Sequence, residues 1–238
     1  MHLSVNIDHF ATLREARRGA EPEPVLVALL AEQAGAVGIV CHIRADRRHI
    51  KERDLRLLRQ TVKTKLNVEM AATDEMKAIA LEIRPHVISL VPEKPDELTT
   101  EGGLNVVPQV ARLKAFVEEL KAAGIRVSIF VDTGEDQILA CRDTGVDLVE
   151  INTGPYADVE RDGRDKALDD VRKAAERAAA AGLEVHAGHG LDYRNVAPIV
   201  AIPEIAELSI GFSIVARSAV VGIDRAVREM IVLLGRRP

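Results

Sequence analysis

KLNVEMAATDEMKAIALEIRPHVISL, residues 65–90, holds one complete β–α–β unit. In Lys65–Met70 the apolar Leu66, Val68 and Met70 alternate with polar residues, the period of a strand. Thr73 stands before Asp74, Glu75 and Met76, an N-cap followed by acids in the first helical turn. A helix is therefore predicted over Asp74–Ile83, and a second strand over His86–Val91. Working outward, the same alternation recurs along the chain. Strands are predicted at Leu3–Asp8, Gly38–Arg44, Lys65–Met70, His86–Val91, Arg126–Asp132, Leu148–Asn152, Glu184–Ala187 and Glu207–Gly211. The clearest helices are Pro24–Ala34, Glu52–Val62, Asp74–Ile83, Val107–Ala123, Glu135–Thr144, Lys166–Ala181 and Ser213–Leu234. Pro24 suits a first helical turn, and Gly35, Gly124, Gly145 and Gly182 each follow a helix as C-terminal caps.

Strands joined by helical crossovers run parallel. Eight such units close into a barrel or spread into a doubly wound sheet. No GxGxxG follows the first strand, which weakens the dinucleotide-binding alternative. The expected fold is an α/β (β/α)8 barrel: one catalytic domain over residues 1–238, with additional short helices. No Pro/Ser-rich linker divides the chain. The longest irregular stretch, Pro92–Gly103, has the size of a lid or binding loop.

The composition agrees with a folded enzyme. Hydrophobic residues make up 47% of the 238, enough for a sizeable core, and the 29% charged residues solvate the surface. A net charge of −5 and only 3% aromatics, with no Trp, argue against nucleic acid as a partner. Cys41 and Cys141 lie in no CxxC pair, so a zinc site is not expected and both read as reduced thiols of a cytoplasmic protein. Asn6, Asp8, His9 and Arg14 occupy the place of a signal peptide's apolar run. Val25–Ala31 is too short to span a bilayer, so no membrane partner is expected.

In a parallel barrel the C-terminal strand ends share one face, and that face carries the chemistry. Polar residues gather there: Asn6, Asp8 and His9 after strand 1, His42 and Arg44 at strand 2, Asn67 and Glu69 at strand 3. Asp132 ends strand 5, Glu150, Asn152 and Thr153 end strand 6, and strand 7 runs into Gly188-His189-Gly190. The strand bodies read as Val, Ile and Leu. Asp8 or Asp132 could instead cap the following helix, and His86 and His186 read as structural. Glu69 is harder to explain structurally. A carboxylate between Val68 and Met70 needs a partner or a raised pKa, the setting of a general base near neutral pH. Gly188, Gly190 and Gly211, with the helix start at Phe212 and Ser213, suit a phosphate site. Arg17, Arg44 and Thr99–Gly103 could form a second anion site. No strand-end lysine is placed for a Schiff base; Lys94 is the nearest. Acid/base chemistry without a metal is expected.

The segments VNIDHFATLREAR (5–17), HIRADRRHI (42–50), NVEMA (67–71), LVPEKPDELTTEGG (90–103), NTGPYA (152–157) and AGHGLDYRN (187–195) closely resemble the pyridoxine 5'-phosphate synthase family. The resemblance runs from the first strand to the last helix. It implies a transferase-type synthase of vitamin B6 biosynthesis that condenses 1-deoxy-D-xylulose 5-phosphate with 3-amino-2-oxopropyl phosphate. The products are pyridoxine 5'-phosphate, inorganic phosphate and water. It implies no metal or organic cofactor, two small phosphorylated substrates as partners, and a homo-oligomer, commonly an octamer. By motif, His42 and Glu69 match the family's general bases and His189 its general acid. Asn6, Asp8, His9, Arg17, Arg44 and His49 match substrate contacts, as does Thr99 in a segment that closes over the site. Gly190, Gly211 and Phe212 match the phosphate site. Two departures stand out: Gly211-Phe212 replaces the family's usual Gly-His, and Ala216-Arg217 its following Gly-Arg. The competing readings are another sugar-phosphate isomerase or aldolase barrel, and a barrel that only binds phosphorylated metabolites.

Overall fold

The computed structural model describes residues 1–93, 100 and 102–235. The strands are β1 (His2–Asn6), β2 (Gly38–His42), β3 (Lys65–Met70), β4 (Val87–Leu90), β5 (Arg126–Val131), β6 (Leu148–Asn152), β7 (Glu184–Gly188) and β8 (Ile205–Ile210). They pair in parallel, in sequence order, and β8 closes onto β1. The described helices are α1 (Asp8–Arg17), α2 (Pro24–Gln33), α3 (Glu52–Thr61), α4 (Asp74–Ile83), α5 (Val110–Ala122), α6 (Glu135–Asp143), α7 (Gly154–Asp158), α8 (Arg161–Ala180), α9 (Val196–Val200), α10 (Phe212–Val221) and α11 (Ile223–Leu233). The expected (β/α)8 barrel is the fold. Among the described residues, no helix is long and apolar enough to cross a membrane.

The predicted unit at 65–90 forms as read, with Thr73 Oγ1 accepting the Met76 N–H at 3.3 Å to start α4. The four predicted cap glycines all have positive φ, each just after a helix. Several boundaries differ, β2 ending at His42 and α8 beginning at Arg161 among them, and three differ for evident local reasons. Strand 1 was expected to reach Asp8, but Asn6 Oδ1 accepts the Asp8 N–H at 2.9 Å and turns the chain into α1. Asp8 and His9 therefore stand in the first turn of a helix. The long final helix breaks at Gly222 (φ 83°), whose N–H closes α10 on the Ser218 carbonyl and whose carbonyl opens α11. Val107–Gln109 is a 3-10 turn, so α5 begins at Val110.

The strand bodies are less apolar than a reading of Val, Ile and Leu suggests. Successive strand residues face opposite sides. Leu66, Val68 and Met70 pack into the apolar core. The alternate positions meet one another across strands. Ser4 Oγ donates to Glu207 Oε1 (2.6 Å), Lys65 Nζ pairs with Glu207 Oε2 (2.6 Å), and Ser89 Oγ donates to Asn67 Oδ1 (3.0 Å). His186 joins this network near the strand starts, 2.7 Å from Glu184 Oε1. His86 Nδ1 accepts the Leu66 N–H at 3.0 Å. Both histidines thus serve the barrel, as expected.

Candidate active site

At the C-terminal mouth, β2 and β3 place His42 opposite Glu69 in register. Glu69 Oε2 lies 3.9 Å from His42 Nδ1. That gap is too long for a direct hydrogen bond. The other ring nitrogen, Nε2, lies 2.9 Å from Glu93 Oε1. Glu93 Oε2 also accepts the Ala45 N–H at 3.0 Å. Burial pushes the Glu93 carboxyl up, but the bonds from His42 and the Ala45 N–H more than offset it and hold it below the usual range. An ionised carboxylate only accepts hydrogen bonds, so Nε2 carries the proton in neutral His42. Nδ1 is then the basic nitrogen, and it faces Glu69. Asp8 fixes the backbone beneath, its Oδ1 accepting the His42 N–H at 2.8 Å.

Burial raises the Glu69 carboxyl well above its usual value, and the negative charges of Glu150 and Asp8 push the same way. Glu150, on β6, is 5% exposed and is raised to about 7, chiefly by burial and then by Glu207. Two buried carboxyls, both pushed up from the ordinary range, therefore face the barrel lumen close enough to feel each other's charge. A group tuned in this way suits general acid–base work.

The rim around this centre holds most of the predicted residues. The His49 ring stands edge-on to His42 at 6.2 Å, and burial lowers its pKa. Its carbonyl accepts from Arg14 Nη2 (3.0 Å), while Arg14 forks onto Asp54 at 2.9 and 2.7 Å. Arg44 is buried beside them. His9 lies edge-on to Phe212, with centroids 5.5 Å apart. Gly211 packs on Asn6: a Cβ at 211 would come within 3.1 Å of the Asn6 Cβ. Phe212 begins α10 and is 70% exposed. Gly190 follows His189 with φ 74°, and its carbonyl accepts from Asn195 Nδ2 at 3.0 Å.

His189 sits after β7, edge-on to Phe130 at 6.2 Å, and burial lowers its pKa. Its described contacts are with β5 and the β6–α7 turn, apart from the His42–Glu69 pair. Arg17 ends α1 exposed to solvent, and no described contact joins it to the cluster. Thr99 lies outside the described residues. Asp132 caps no helix: it accepts from the Gly103 N–H (2.9 Å) and from Asn152 Nδ2 (2.8 Å), tying the end of the 92–103 segment to β6.

Of two further site residues, one stands in the sequence reading only as a polar end of strand 6, and the other escaped it. Glu150 carried the signal that singled out Glu69, a carboxylate within an apolar strand, Leu148-Val149-Glu150-Ile151. Glu93 carried none, being one acid of an irregular segment 51 residues from its partner. Among the described residues, no group of three or more His, Cys, Asp or Glu is placed to hold a metal ion.

A family model described as pyridoxal phosphate biosynthesis protein PdxJ matches residues 3–236. A pyridoxine 5'-phosphate synthase of Synechococcus sp. (strain JA-2-3B'a(2-13)) is 54% identical over 236 residues, covering 99% of both chains. One of Chlorobium luteolum is 53% identical over 235 residues, covering 99% of this chain and 100% of its own. Among solved structures, KGPDC from Streptococcus mutans superposes with a TM-score of 0.69 at 13% identity, covering 99% of this chain and 97% of its own. Phosphoribosyl anthranilate isomerase from Thermus thermophilus gives 0.64 at 14%, covering 99% and 98%. These two share the fold alone.

Proposed function

The chain belongs to the PdxJ family, and from that membership we infer the chemistry of its barrel mouth. It is a synthase that condenses 1-deoxy-D-xylulose 5-phosphate with 3-amino-2-oxopropyl phosphate, giving pyridoxine 5'-phosphate, inorganic phosphate and water. The observation that carries this is identity above half along essentially the whole length of the pyridoxine 5'-phosphate synthases.

We propose the following roles. The substrate amine attacks the sugar-phosphate ketone, and loss of water gives an imine. The amine comes from the substrate, so no lysine of the chain forms the bond. Glu69 Oε2 and His42 Nδ1, 3.9 Å apart, are close enough for one substrate C–H or O–H approaching from the side to meet both. One removes a proton while the other returns one, through enolisation and dehydration. One phosphate leaves, the ring closes, and a further dehydration makes it aromatic. His189 protonates a departing oxygen. Asn6, Asp8, His9, Arg17, Arg44, His49 and Thr99 bind the substrates. The N–H groups at Gly190, Gly211 and Phe212 receive a phosphate, supported by the start of α10 immediately after Gly211.

We also propose a cytoplasmic homo-oligomer, an octamer by family resemblance. Exposed apolar side chains support association: Leu13 on α1, Leu26 on α2, Val220 on α10 and Val232 on α11. Light scattering on the purified protein tests it. For the reaction, the test is to mix both substrates with the purified chain and follow pyridoxine 5'-phosphate by absorbance and mass. Product that needs both substrates is expected. Turnover of one sugar phosphate alone would contradict this reading.

A further inference from the structure

His189 has a left-handed backbone, φ 80°. The other described non-glycine residues of this kind have ordinary reasons. Arg18 and Arg84 end helices, and Arg47 closes a turn onto the Arg44 carbonyl. His189 ends no helix, and its φ exceeds the usual left-handed range for a residue with a side chain. Such a conformation persists only where its surroundings over-determine it.

Thr153, the residue after β6, supplies that constraint. Its N–H donates to the Gly188 carbonyl at 2.8 Å. Its hydroxyl oxygen lies 2.7 Å from that carbonyl oxygen and 2.6 Å from the carbonyl oxygen of His189. One carbonyl precedes the His189 Cα and the other follows it, so gripping both fixes φ and ψ together. Thr153 is fully buried, and no water competes for its single proton. Gly154 forms the floor: a Cβ there would lie 2.7 Å from His189 Cδ2, so the imidazole rests on bare backbone. Asn152 Oδ1 holds the Gly154 N–H at 2.9 Å. Asn152 Nδ2 reaches Asp132 at 2.8 Å, which ties this floor to the end of β5.

We propose that Thr153 is a positioning residue for His189. Its hydroxyl clamps the two flanking carbonyls and sets the imidazole on the Gly154 shelf, aimed at the reacting oxygen. This rests on His189 acting as the acid.

The test uses the full chain and both substrates, with kcat, both KM values and the melting temperature measured for each variant well below its own transition. Thr153→Val removes the hydroxyl and keeps the shape. Its kcat is expected to fall about 10- to 100-fold, the scale of a misplaced reacting group, with both KM values little changed. Thr153→Ser is expected to return kcat close to the parent value. Gly154→Ala leaves the clamp intact, and its φ is not in the left-handed region. Its methyl group displaces the imidazole, so kcat should fall here too, and this variant decides the matter if Thr153→Val does not fold. Parent-like kcat in Thr153→Val with only a lower melting temperature would overturn the proposal. So would a Thr153→Ser variant as slow as Thr153→Val, or parent-like kcat in Gly154→Ala. His189→Ala separates the premise from the clamp. Parent-like turnover in His189→Ala removes the acid, and the proposal with it. A slow His189→Ala beside a normal Thr153→Val rejects the clamp alone.

Discussion

Glu69 Oε2 faces His42 Nδ1 at 3.9 Å, from register-paired positions on adjacent strands. Their spacing is set by the hydrogen-bond ladder between β2 and β3. Glu93 holds the far nitrogen of the same imidazole, and burial keeps the Glu69 carboxyl ready to hold a proton. The pair is thus a donor and an acceptor with opposite preferences, facing each other at the mouth.

Glu93→Gln tests how that preference is set. A carboxamide can donate as well as accept, so Nε2 is no longer obliged to carry the proton. The expected result is a lower kcat, by about tenfold or more on the scale of acid–base assistance, in a protein of nearly unchanged melting temperature. An unchanged kcat would mean that Glu93 merely ties the segment after β4 to Ala45.

Glu150 predicts how stability changes with pH. Its carboxyl titrates at about 7 in the folded chain, against 4.5 ordinarily. Between those values the folded state binds more protons than the unfolded state, so stability falls as pH rises through this window. Glu150→Gln does not titrate. It is expected to gain stability over the parent on going from about pH 5 to about pH 8, by on the order of 2–3 kcal/mol in denaturant melts. A gain that is flat with pH would place the Glu150 carboxyl in the ordinary range.

The fold was legible because each β/α unit carries local punctuation, as Thr73 and Gly124 show. The lumen was not. Ser4, Lys65 and Glu207 find one another only when β1, β3 and β8 have curled into a closed ring, and no local pattern states that closure. The site divides the same way. His42 and Glu69 lie on strands, where their position relative to the barrel mouth follows from strand direction. Glu93 lies in a segment whose path depends on the tertiary fold. Asp8 was legible as a polar residue after strand 1, but not its place in the first turn of α1 or its grip on the His42 backbone.

Arg14→Met probes the strut behind His49. Arg14 and Asp54 are both almost wholly buried, and removing the guanidinium leaves the carboxylate only the Lys51 N–H and the exposed Arg53. The expected loss is about 3–5 kcal/mol in urea melts. Replacing Asp54 with Leu as well should recover much of it. A loss below about 1 kcal/mol would put the pair in the class of exposed ion pairs.

Phe212→His tests the departure at the start of α10. The backbone N–H at 212 is kept, and a side-chain donor is added beside His9. Turnover should stay close to the parent, with the KM of a phosphorylated substrate equal or lower. A large loss of kcat would show that the site is built around the Phe212 ring and its contact with His9.

The most direct test of the account is kcat of Glu69→Gln with both substrates saturating. The substitution keeps the shape and removes the titrating proton opposite His42. The predicted result is a fall of about 10²- to 10⁴-fold in a protein that still folds as the same barrel. Near-normal turnover would contradict the central role of the Glu69–His42 pair.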